Sequence, residues 1–99
     1  MDRARAIEVL QELRPRLEAR GIVHAGIFGS VGRDRAGAAS DVDVIVTPHD
    51  NLRLDLVDLG GIQTLLEEGF AGIDVDLVVE PIRRADLQAA VERDRVDVF

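Results

Sequence analysis

Residues 22–46 read IVHAGIFGSVGRDRAGAASDVDVIV, two apolar runs joined by a glycine turn and an acid pair, and this order constrains the fold more than any other part of the chain. The first run ends at Phe28. Gly29-Ser30 follows as a sharp turn, ten residues intervene, and Asp41-Val42-Asp43 leads into Val44-Ile45-Val46. The pattern predicts strand, turn, short helix, loop and strand. Asp41 and Asp43 lie two apart on the second strand, where side chains alternate. Both carboxylates therefore leave the same face, about 7 Å apart along the chain.

Carboxylates at this spacing can share hard cations. Mg²⁺ is usually held by one or two carboxylates together with substrate phosphates. Two such ions about 3.5–4 Å apart clamp the attacking and leaving oxygens of an in-line displacement. Gly29 has no Cβ, so it permits the turn and lets a phosphate approach the backbone. Ser30 opens the short helix, where its hydroxyl and the free N–H groups of the first turn form an anion site. Arg33 on that helix, or Arg35 just after it, has the planar fork suited to a phosphate. Asp34 reads as a solvated helix residue, and Gly37 with its small neighbours as loop.

Gly29-Ser30, ten residues and Asp41-x-Asp43 together resemble the nucleotidyltransferase superfamily that includes DNA polymerase β. The form is that of its minimal nucleotidyltransferase (MNT) subfamily, and the similarity extends over nearly the whole chain. The resemblance implies an α/β nucleotidyltransferase fold, a small three-stranded mixed sheet flanked by about four helices, as a single domain over residues 1–99. It implies two Mg²⁺ ions held by acids that include Asp41 and Asp43, with ATP as substrate bound through Gly29, Ser30, Arg33 and Ser40.

Composition agrees with a small domain. Hydrophobic residues make up 46% of 99, enough for one core, and aromatics only 3%, so that core is built from Leu, Val, Ile and Ala. The net charge of −7 argues against direct binding to nucleic acid, which needs a basic face. Without Cys, disulfides, thiolate metal sites and Cys nucleophiles are excluded. No apolar run approaches a membrane span and the N-terminus lacks a secretory core, so residence in the cytoplasm is expected. With no Tyr in the chain, a modified tyrosine would belong to another protein.

In chain order, 2–20 reads as a helix with Ala6, Leu10, Leu13 and Leu17 in one stripe, Ile7 alongside, Asp2 as N-cap and Gly21 just past its end. Pro15 inside it predicts a kink or two shorter helices. Residues 22–28 form the first strand, with His24 partly exposed, and 42–47 the second, stopped by Pro48. Asp50 is expected to cap a helix over 52–68, with Leu52, Leu56, Leu59, Ile62, Leu65 and Leu66 as its apolar positions. Its Gly60-Gly61 pair either brings the helix close to the sheet or breaks it. Residues 73–79 form a third strand that echoes the second, and 84–93 a last helix with Leu87, Ala90 and Val91 inward. The tail 95–99 is expected to pack onto its own domain.

Two metals and a triphosphate call for a third carboxylate on the neighbouring strand. The spacing offers Asp74 and Asp76, which share a face. The MNT resemblance selects Asp76, which stands just before the aliphatic run, as the third metal ligand and the group that helps deprotonate the acceptor. Glu80 is left out of the acid set. The resemblance further implies an antitoxin that pairs with a HEPN-domain ribonuclease toxin in a hetero-oligomer and adenylylates one of its tyrosines. Two alternatives stand beside it: a non-catalytic module that neutralises its partner by covering it, and nucleotidylation of a small molecule or an RNA end. Three clustered acids argue against the first. The chain's length leaves no second domain to hold a small-molecule acceptor.

Overall fold

The computed structural model describes residues 2–29 and 41–99. The elements are α1 (Arg3–Ala19), β1 (Ile22–Phe28), β2 (Val42–Pro48), α2 (Leu56–Gly69), β3 (Val75–Val79), α3 (Ala85–Asp94) and β4 (Val96–Asp97). One four-stranded sheet runs in the order β3-β2-β1-β4. β1 is antiparallel to both β2 and β4, and β2 is parallel to β3.

The expected three-stranded sheet is therefore corrected to four strands. The tail packs on its own domain, as expected, but does so as β4. Val96 and Asp97 pair with Ile27 and Gly26. Beyond them, Val98 N–H donates to the Ala25 carbonyl at 2.9 Å and Ala25 N–H to the Phe99 carbonyl at 3.1 Å. Arg14 stacks over the Phe99 ring at 5.0 Å, which pins the last residue to α1. A two-residue strand has too little alternation to be legible in sequence; the open edge of β1 creates it. Three helices are found among the described residues, and the fourth, expected at Ser30, falls outside them.

The alternating side chains sort the two sheet faces. Val42, Val44 and Val46 of β2, Ala25 and Ile27 of β1 and Val75 of β3 join Ala6, Val9, Leu10, Leu13 and Leu17 of α1 and Ile62, Leu65 and Leu66 of α2 in the main core. Phe28, Ile45 and Val91 form a smaller cluster on the other face, with Val78, Ile82 and Leu87 packed around it. α3 thus covers the middle of the second face.

α1 begins as its sequence predicts, with the Asp2 carboxylate accepting from Arg5 N–H at 2.8 Å. It ends at Gly21, where φ is +87°. Pro15 neither splits it nor shortens it: α1 is one helix of 17 residues. Pro15 and Gln11 are both exposed, so the carbonyl that Pro15 cannot serve lies on the solvent side of the helix. His24 is exposed, beside an irregularity in the β1–β2 register between Ile22 and His24.

α2 differs from expectation at its start. Asp55, not Asp50, is the N-cap. Its carboxylate accepts from Asp58 N–H at 2.8 Å, while Asp58 accepts from Asp55 N–H at 3.0 Å. This reciprocal box satisfies two orphan donors at once, which Asp50 on its own would not. Starting at Leu56 also leaves Leu56 and Val57 outside the core, 86% and 82% exposed. The Gly60-Gly61 pair does not break the helix. Gly61 serves a different purpose from a close approach to the sheet: a Cβ there would lie 2.5 Å from the Arg20 guanidinium, whereas one on Gly60 would meet nothing within 4 Å.

Candidate active site

The acid pair stands where two parallel strands begin. Asp43 is the second residue of β2, and Asp41 immediately precedes the strand. Parallel pairing sets Val42 opposite Val75 and Asp43 opposite Asp76, and Val42 N–H donates to the Asp74 carbonyl at 2.9 Å. By alternation Asp41, Asp43 and Asp76 leave the face opposite the main core. Asp76 is exposed and Asp43 half-buried.

The electrostatics follow from that crowding. Burial, the neighbouring charge of Asp76, a hydrogen bond shared with Asp76 and the more distant charge of Asp41 together raise the Asp43 carboxyl from its ordinary 3.8 to about 6. The described Asp, Glu and His side chains do not close into a ready set of three or more around one point. The oxygens of Asp43 and Asp76 face each other instead, with Asp41 alongside.

Gly29 adds a constraint that its role as a phosphate-approach residue does not cover. It follows β1 with φ +69°, a conformation that favours glycine. The Asp43 carboxylate lies where a Cβ on residue 29 would sit, and Phe28 pairs directly with Asp43. The Gly29 backbone therefore lies directly against the Asp43 carboxylate. Ser30, Arg33 and Ser40, with the rest of the expected helix and loop, lie outside the described residues. Asp74, the alternative third acid, sits one residue before β3 and is not among the groups that raise Asp43.

Two further features were not predicted. Glu80, on the same face as Asp76 by alternation but at the far end of the strand, accepts from Thr47 Oγ1 and from Arg95 Nη1, each at 2.7 Å. Arg95 also donates to Asp97. Burial would raise the Glu80 carboxyl, but the bonds from Thr47 and Arg95 outweigh it and hold the group below its ordinary value. The knot links Thr47 of β2 and Glu80, just after β3, to Arg95, just before β4. The alternation 76, 78, 80 placed Glu80 on this face; its partners could not be read. The second feature is Gln63 of α2, whose Nε2 donates to the Val75 carbonyl at 2.8 Å, next to Asp76. Nothing in the sequence signals that pairing.

A mixed sheet whose two parallel strands bring acids together beside a glycine turn defines a class, the α/β nucleotidyltransferases. The chain belongs to the nucleotidyltransferase domain family, whose model matches residues 5–98. No curated protein matches it. Among solved structures, one described as a minimal nucleotidyltransferase is 31% identical, with a TM-score of 0.69 over 97% of this chain and 95% of that one. A toxin–antitoxin crystal structure with AMP-PNP is 21% identical, with a TM-score of 0.69 over 100% of this chain and 73% of its own. A tri-AMPylated Shewanella oneidensis HEPN toxin in complex with MNT antitoxin matches at 20% identity and a TM-score of 0.67, over 100% of this chain and 72% of that one. At such identities the last two are evidence of shared fold. Among the described residues, no helix is long and apolar enough to cross a membrane.

Proposed function

We propose that the chain transfers AMP from ATP to a hydroxyl, the acceptor being a tyrosine of a HEPN-type partner protein that the transfer silences. The observation that carries the reading is the Asp43–Asp76 pairing in register across β2 and β3, with Asp41 alongside. Three carboxylates held this close cost stability unless a cation offsets them. Their hard oxygen donors suit Mg²⁺, and the raised Asp43 carboxyl marks the charge a cation would relieve. Asp41, Asp43 and Asp76 would hold the metal, which supplies charge neutralisation at the phosphates and orients the displacement.

This chain's own groups do the rest. Asp76, exposed at the mouth of β3, accepts the proton of the incoming hydroxyl. The hydroxyl oxygen bonds to the α-phosphorus, the bond from that phosphorus to the bridging oxygen breaks, and pyrophosphate leaves. Gly29 leaves room for Asp43 beside the turn, and Ser30, Arg33 and Ser40 are assigned to the phosphates. Positioning and electrostatics account for the rate. The chain has no Tyr of its own to modify. The structural likeness to antitoxins crystallised with HEPN toxin supports the choice of partner class.

The test is an intact-mass measurement. The chain is incubated with Mg-ATP and a HEPN-type toxin protein. The partner is expected to gain AMP while this chain's mass stays unchanged, and Asp41→Asn with Asp43→Asn together abolish the gain. If the partner gains no mass with any nucleotide, the proposed acceptor is wrong. If the double variant protects cells from the toxin as well as the unaltered chain does, covering of the partner replaces catalysis.

A further inference from the structure

β3 is the edge strand on the acid side of the sheet. Its inward bonds to β2 come from alternate residues: the Asp74 carbonyl accepts from Val42 N–H, and Glu80 N–H donates to the Val46 carbonyl. The intervening residues, Val75, Leu77 and Val79, therefore turn their peptide groups outward, where no further strand lies among the described residues. An edge of this kind frays unless something covers it. Gln63 does so at one point. It projects from the middle of α2, and its Nε2 donates to the Val75 carbonyl. Among the described residues this is the one side-chain hydrogen bond to the backbone of β3. α2 is a firm anchor, because Ile62, Leu65 and Leu66 on either side of Gln63 are buried in the main core.

The carbonyl that Gln63 holds belongs to the residue before Asp76, at the first residue of a five-residue strand. Here the strand pairs Asp76 with Asp43, so the carbonyl that Gln63 holds adjoins the residue facing the acid pair. We propose that Gln63 is a positioning residue, mooring the outer edge of β3 to α2 so that Asp76 stays in register with Asp43 for divalent-cation binding. The proposal rests on the metal-binding reading of these acids. Gln63 touches neither cation nor substrate; it acts through the Val75 backbone.

The test is Mn²⁺ binding, followed by electron paramagnetic resonance of the free ion without nucleotide. Gln63→Met keeps length and removes the donor. Gln63→Glu keeps shape and, while ionised, cannot donate. Each is expected to weaken Mn²⁺ binding about tenfold, at the low end of what loss of an outer-shell partner costs. Weakening in Gln63→Glu is the sharper result, because an added negative charge near the site would by itself strengthen binding. Val9→Ala, a core truncation in α1, is the control: it lowers overall stability but should leave Mn²⁺ affinity unchanged. Unaltered Mn²⁺ affinity in both Gln63 variants, or an equal loss in Val9→Ala, overturns the mooring role while leaving the acid site intact. An unaltered chain that binds no Mn²⁺ overturns the acid site and the mooring role together.

Discussion

Replacing Asp43 by Asn tests the acid cluster without any partner, nucleotide or metal. The Asp43 carboxyl titrates at about 6 in the folded chain against an ordinary 3.8. A difference of that size corresponds to about 3 kcal/mol at full strength. Asp43 is only half-buried, so solvent screening reduces the figure to about 1–2 kcal/mol. The sign is that of a raised carboxyl. Below pH 4 the group is protonated in both folded and unfolded chains and costs nothing. Between pH 4 and 6 the unfolded chain gives up its proton first, so folding loses ground as pH rises. Above pH 6 both states are ionised and the full penalty is present. Asp43→Asn should therefore be near neutral at pH 4 and stabilising by about 1–2 kcal/mol at pH 8. For a domain of this size that is a rise in Tm of about 4–16 °C. Urea denaturation of both proteins from pH 4 to 8, in EDTA, measures it. Mg²⁺ at pH 8 should then stabilise the unaltered chain and leave the variant nearly unchanged. A stability difference that does not vary with pH, or a variant less stable at pH 8, refutes the crowding of Asp43 by Asp76 and Asp41.

Two further outcomes follow from the packing. Gly60→Ala should stabilise α2 by about 1 kcal/mol, since the methyl meets nothing; Gly61→Ala should gain less, because Arg20 must swing aside, and thermal melts of the two variants separate them. Glu80→Gln should cost about 1–2 kcal/mol at pH 7 by weakening a charge-assisted bond from Arg95. Because the Glu80 carboxyl is held low, its contribution is present above its ordinary 4.5 and disappears as pH falls through the folded value. Denaturation midpoints should therefore converge with those of the unaltered chain in acid, and a gap that persists unchanged there refutes the Thr47–Glu80–Arg95 knot.

Local rules made much of the chain readable. Alternation assigned Asp41 and Asp43 to one face, and a 3.6-residue period placed Ala6, Leu10, Leu13 and Leu17 inward. Asp2 and Gly21 marked the ends of α1, because caps are settled within one turn of a helix. α2 was less readable. Asp50 and Asp55 are both acceptable caps by residue type, and only the reciprocal bonds with Asp58 decide between them. Of the two outcomes expected at Pro15, the split into shorter helices does not occur: α1 runs on through it, on an exposed turn. Spacing alone left Asp74 and Asp76 equivalent. The parallel register sets Asp76, and not Asp74, opposite Asp43.

By itself, then, the sequence determined α1, the first three strands in outline, the face that Asp41 and Asp43 share and the resemblance to a nucleotidyltransferase, because each depends on patterns within a short stretch of chain. The tertiary structure alone decided the neighbour relation of β2 and β3, the conversion of the tail into β4, the fit of the Asp43 carboxylate against Gly29, the knot at Glu80 and the hold of Gln63 on Val75. Each of those depends on at least one pairing of residues 12 or more positions apart along the chain. Which distant groups meet is set by how the helices and strands pack, and no local pattern records it.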